Sequence, residues 1–149
     1  MKLKTFLKKK YSPVKLKHTN TNHFVIKAKI NGVKGRFIID TGASSTCIGS
    51  EFTARFKLNA TASDTKATGA GSIDIFTEIS HENSMQIGRW KKGNMAFVLL
   101  DLSHINTALK QHYSKPIDGI IGADILKKGK VIIDYDNDIL YFKKEHFEY

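Results

Sequence analysis

From position 23 onward, apolar and polar residues change places with the period of β-strands. H-F-V-I-K-A-K-I leads into the pair Asn31-Gly32 and then into V-K-G-R-F-I-I-D. Two β-rich runs joined through Asn-Gly predict a hairpin, because this dipeptide tolerates the positive φ angles that a two-residue turn requires. Further along, S-I-D-I-F-T-E-I-S alternates strictly, and the small polar stretch before it ends at Gly69, Ala70 and Gly71. That pattern predicts a second hairpin with its tip at 69–71 and a returning arm over 72–80. Further strands are expected around 85–87 and in N-M-A-F-V-L-L-D, and V-I-I-D-Y-D-N-D-I-L-Y-F predicts a closing hairpin with its aspartates in the turn.

Helical spacing is scarce. In D-L-S-H-I-N-T-A-L-K-Q-H-Y, the residues Leu102, Ile105 and Leu109 recur at helical intervals, Ser103 is placed to cap and Pro116 to stop the helix. The stretch 51–58 suits one helical turn or another strand equally, and A-D-I-L at 123–126 reads as a short helix. Residues 1–22 are polar and basic, an arm or an edge strand, and 23–149 form the domain proper. The fold class is mostly β with one or two short helices.

Composition narrows the picture. A chain of 149 residues with 41% hydrophobic content suits one globular domain. Cys47 stands alone, which excludes an internal disulfide, suits a reducing compartment and reads as a small buried hydrophobe. The net charge is +10, and its lysines gather near the start, where the first 20 residues hold no arginine. Lysine without arginine reads as a solvated coat more than as a phosphate reader, so nucleic acid is not expected as the main partner. The basic start lacks the apolar run of a signal peptide and no segment is long enough to span a bilayer, so a cytoplasmic protein with no membrane partner is expected. The histidines lack zinc-ligand spacing, and Asp134, Asp136 and Asp138 lack the glycine and glutamate of a calcium loop. No metal and no cofactor are expected.

The chemistry gathers in F-I-I-D-T-G-A-S-S-T, where Asp40 closes an apolar strand and only small residues follow. Alone, Asp-Thr-Gly is a short word, and an aspartate opening a turn after a strand accounts for it equally well. A second apolar-apolar-glycine element, Ile120-Ile121-Gly122, leads into A-D-I-L later in the chain. With both elements in this order, the sequence resembles the retropepsin-like aspartic proteases, the family of the retroviral proteases and their bacterial single-domain relatives, over about residues 23–142.

The resemblance implies a closed β-barrel of the acid-protease fold and an aspartic endopeptidase that hydrolyses peptide bonds by water attack. It makes Asp40 the catalytic residue, one from each of two subunits. Thr41 and Gly42 would support the active-site loop, Thr41 by a hydrogen bond across the dimer and Gly42 by an amide turned toward the carboxylates. Ala43 and Ser44 would line the substrate cleft, Gly69, Ala70 and Gly71 would form a flap over it, and Ile120, Ile121 and Gly122 would pack beneath the loop. The implied partners are a second copy of the chain and a peptide or protein substrate. Ile117-Asp118-Gly119 lacks the threonine and precedes the Ile-Ile-Gly element, so it is not expected to be a second catalytic loop. The alternative is a catalytically silent retropepsin-like module for dimerisation or peptide binding. Two departures from the retroviral pattern stand out: Ser44 and Ser45 replace acids often found there, and 77–116 is longer than a retroviral enzyme needs.

Overall fold

The computed structural model describes residues 1–68 and 74–145. It opens with helix α1 (Leu3–Lys10), strand β1 (Tyr11–Lys15) and the two-residue strand β2 (Lys17–His18). Residues 1–22 thus hold a helix as well as strands. The helix is lysine-rich and buries only Leu7, 5% exposed.

The predicted hairpin follows as β3 (Phe24–Ile30) and β4 (Val33–Ile39). Asn31 and Gly32 both take positive φ, 50° and 81°, which matches the twist of the paired strands. The Asn31 amide then binds Phe56 O and Asn83 Oδ1, and its Oδ1 accepts from Ser84 N–H. One turn residue therefore joins the hairpin to two distant segments.

After the Asp40 loop come β5 (Cys47–Gly49) and a single 3₁₀ turn at Ser50–Phe52, so of the two alternatives for 51–58 the helical turn forms and the strand does not. The second hairpin pairs β6 (Thr61–Thr68) with β7 (Asp74–Ile87), and its tip at Gly69, Ala70 and Gly71 lies outside the described residues. The segment at 85–87 is not a separate strand. It continues β7 past two register shifts against β8 (Trp90–Leu100), near Glu82 at φ 61°. Such bulges bend a strand without ending it. Helix α2 (Ser103–Gln111) sits where its spacing predicts, but its first turn is held by Asp101, whose Oδ1 accepts from Ser103 N–H. The Ser103 side chain makes no cap. The chain closes with β9 (Gly119–Ile121), α3 (Ala123–Lys128), β10 (Ile132–Asp134) and β11 (Ile139–Lys143).

Six strands close into a barrel in the order β3, β4, β9, β5, β8 and β7, because β7 pairs back onto β3 through Lys29 opposite Gln86. The strands β1, β11 and β10 form a second, three-stranded sheet, with β1 on its edge. Inward side chains fill the barrel, among them Phe37, Phe56, Phe97 and Ile48, all fully buried. Each such residue contributes about 1.5–3 kcal/mol by leaving water. The second sheet seals one side with Phe142, whose ring lies 5.1 Å from that of Trp90. A smaller cluster, Val25, Ile38, Leu102, Leu109 and Ile117, packs α2 against the outside of the barrel.

Candidate active site

Strand β9 decides the site. It lies parallel to β4, with Ile39 opposite Ile121, and antiparallel to β5, with Cys47 opposite Ile120. The loop from Asp40 to Thr46 joins β4 to β5 and so must pass over the end of β9. Two glycines permit this closeness. A Cβ on Gly119 would sit 2.4 Å from Cys47 O, and one on Gly122 would sit 2.5 Å from Ala43 O.

The loop is held from beneath at each step. Asp40 N–H donates to Ile121 O at 3.0 Å, and Ala123 N–H donates to Ala43 O at 2.7 Å. Thr46 is fully buried and is the rivet. Its hydroxyl donates to Asp124 Oδ1 at 2.7 Å and accepts from Gly122 N–H, while its N–H donates to Asp124 Oδ2. Asp124 Oδ1 also takes the Ile125 N–H at the start of α3. No local pattern signals this Thr46–Asp124 brace, whose two members stand 78 positions apart.

Asp40 is exposed at the lip of the loop, and Gly42 N–H donates to its Oδ1 at 2.9 Å. The Gly42 amide is therefore turned to the carboxylate. Thr41 and Ser44 are exposed and Ala43 is half-buried. Ile121 points into the barrel core, whereas Ile120 faces the outer cluster under α2, so of the three residues Ile120, Ile121 and Gly122 the last two hydrogen-bond the loop. Cys47 is half-buried rather than fully buried. Burial, reinforced by Asp124 and Asp40, pushes its thiol from an ordinary 9.0 up to about 11.

Asp118 does different work at the opposite end of the strand pair. Its Oδ2 accepts from Arg36 N–H, its Oδ1 meets Arg55 Nη1 at 2.7 Å, and its backbone carbonyl holds Gly49 N–H. It is a buried strut between β4, β5 and β9.

A six-stranded barrel whose Asp-Thr-Gly loop rides over an inserted strand ending in Ile-Ile-Gly is the retropepsin-like fold. The aspartyl protease family model matches residues 26–125, and the chain belongs to that family. Among solved structures, it is similar to a retropepsin-like aspartic protease from Rickettsia conorii, with 22% identity, a TM-score of 0.62, and coverage of 89% of this chain and 91% of that one. It is also similar to the EIAV protease in complex with the inhibitor HBY-793, at 18% identity and a TM-score of 0.53 over 70% of this chain and 85% of that one. The retroviral protease-like domain of Ddi1 from Leishmania major matches at 18% identity and a TM-score of 0.51, over 87% of this chain and 97% of that domain. These likenesses establish the fold. No curated protein sequence matches the chain. Among the described residues, no helix is long and apolar enough to cross a membrane.

Proposed function

We propose that the protein is an aspartic endopeptidase that works as a homodimer, with Asp40 of each of two chains forming one catalytic dyad. The observation that carries this reading is the exposed Asp40 on a loop otherwise locked by backbone and Thr46–Asp124 hydrogen bonds. A lone exposed carboxylate needs no such brace. The other two carboxylates flanking β9 are committed elsewhere, Asp118 to Arg55 and Asp124 to Thr46, so the second acid comes from a second copy. A two-fold axis beside the loop brings like to like, and Thr41, exposed and without a side-chain hydrogen bond among the described residues, is free to reach the partner loop.

Two carboxylates held a few ångströms apart, as in aspartic proteases generally, do not both ionise cheaply, so the pair carries one proton. The ionised member takes a proton from water as the water oxygen attacks the peptide carbonyl carbon. The protonated member gives its proton to the carbonyl oxygen. When the tetrahedral intermediate collapses, the C–N bond breaks and the leaving nitrogen takes up a proton. The substrate binds as an extended strand, and the β6–β7 hairpin is the element that covers it.

The test compares the wild type with Asp40→Asn on a diverse peptide library from mildly acidic to neutral pH. Cleavage by the wild type, reduced at least about a hundredfold in the variant, is the expected result. Cleavage that survives the substitution excludes the mechanism. Cleavage by neither protein favours a silent peptide-binding module.

A further inference from the structure

The outward positions of the β3–β4 hairpin fall into two unlike halves. Near Asp40, Val25 lies opposite Ile38, and α2 covers both. Farther along, Lys27 lies opposite Arg36, and Lys29 lies opposite Lys34. No carboxylate among the described residues pairs with any of these four cations. Like charges directly opposed across a sheet destabilise it, and here they occur twice in succession. Arg36 adds a buried Nε without a hydrogen-bond partner.

These four residues line a groove of about 670 Å³ together with Arg55 and Lys115. The remaining lining comes from the small or apolar Ala28, Gly35, Gly88 and Pro116, from the polar Gln86 and from Asp118. Its one carboxylate, Asp118, is already bound by Arg55 and by Arg36 N–H. The groove is therefore strongly positive, and among the described residues its only counter-charge is already paired with Arg55.

We propose that this groove docks an acidic peptide segment, a short run of Asp and Glu side chains carried by a protein substrate; its place in substrate recruitment rests on the endopeptidase reading. The groove crosses from β7 over β3 and β4 to the 115–118 segment, about 14 Å at the usual strand spacing, enough for about four residues of extended chain. Among the described residues, no aromatic ring lines it to stack a nucleobase. Four of its six cations are lysines, and the Arg55 fork is already occupied by Asp118 and Lys34 O, so Arg36 is the one guanidinium left to grip a carboxylate beside four lysine point charges. Lys34 and Asp40 are separated by about 20 Å along β4 at the usual strand rise. A substrate reaching both sites therefore needs at least about six residues between its scissile bond and its acidic run.

The test uses the full chain carrying Asp40→Asn, so that it reads binding whether or not the protein cleaves anything. A fluorescent peptide with a run of glutamates should bind saturably by anisotropy, and more weakly by about tenfold when salt rises from low to several hundred millimolar. Adding Lys27→Glu and Lys34→Glu should remove that binding, whereas the charge-matched Lys4→Glu and Lys9→Glu on α1 should retain it. The groove reversals place opposite charges across from Arg36 and Lys29, so the thermal midpoint should not fall and misfolding is excluded as the cause. In the cleaving wild type, an acidic extension should lower KM with kcat unchanged, and the groove reversals should cancel only that gain. Absence of peptide binding, or binding untouched by the groove reversals, overturns the proposal. Tighter binding of a single-stranded oligonucleotide at the same residues overturns it in favour of nucleic acid.

Discussion

Residues of one chemical type take opposite roles here according to what surrounds them. Asp40 keeps its carboxylate at the surface with a single amide donor, whereas Asp118 is sunk between strands and clasped by Arg55. Cys47 shows the same dependence on surroundings. Burial first, then the charges of Asp124 and Asp40, hold its thiol protonated up to about 11, against 9.0 in the unfolded chain. Above pH 9 the unfolded state gives up this proton more readily than the native state, so the contribution is intact below that pH and is lost as pH rises toward 11. The urea midpoint of the wild type should therefore fall over that window more than that of Cys47→Ser. The native thiol should also resist iodoacetamide at pH 8 while the unfolded chain reacts, and equal alkylation of both forms would overturn the assignment.

At the scale of elements, the site is a crossing of one loop over one strand end. Its tolerance is set by the missing side chain at Gly122. A methyl group there would lie 2.5 Å from Ala43 O and 3.1 Å from Ser45, both backbone, so the loop must shift to accept it. Gly122→Ala should destabilise the fold by about 1–3 kcal/mol. It should also cut cleavage by about a hundredfold, since a displacement near 1 Å at a catalytic group has that effect. Thermal unfolding together with kcat measures both losses, and normal turnover in a fully folded variant would refute the loop's role. The outer face of β3–β4 obeys a similar logic in reverse, since its apolar half has a helix to cover it and its cationic half has none.

For the whole molecule, assembly and charge oppose one another. Each chain carries +10, so two chains repel until salt screens them. Sedimentation should find a species of twice 16.7 kDa that grows with protein concentration and with moderate salt, and cleavage per chain should fall on dilution in step with it. A strict monomer that retains full activity would exclude a shared dyad. Added salt should thus strengthen the dimer while weakening acidic peptides in the groove, opposite trends that separate the two surfaces.

The sequence by itself determined what depends on neighbours a few positions apart. The alternation in 24–39, the Asn31-Gly32 turn, the α2 spacing and the Asp-Thr-Gly and Ile-Ile-Gly words are local patterns, and each maps to the element it suggests. Helix α1 escaped because Leu3, Phe6 and Leu7 stand at helical spacing for a single turn only, within a short lysine-rich segment that buries Leu7 alone. The continuity of β7 escaped because its bulges interrupt the alternation at the bend. Only the tertiary structure decided that β9 enters between β4 and β5, that Thr46 meets Asp124, that Arg55 reaches Asp118, and that Arg55 and Lys115 join the hairpin cations in one groove. The physical reason is separation along the chain. Partners 63 and 78 positions apart are brought together by barrel closure, which buries apolar residues from every strand at once, and no local pattern specifies which of them will meet.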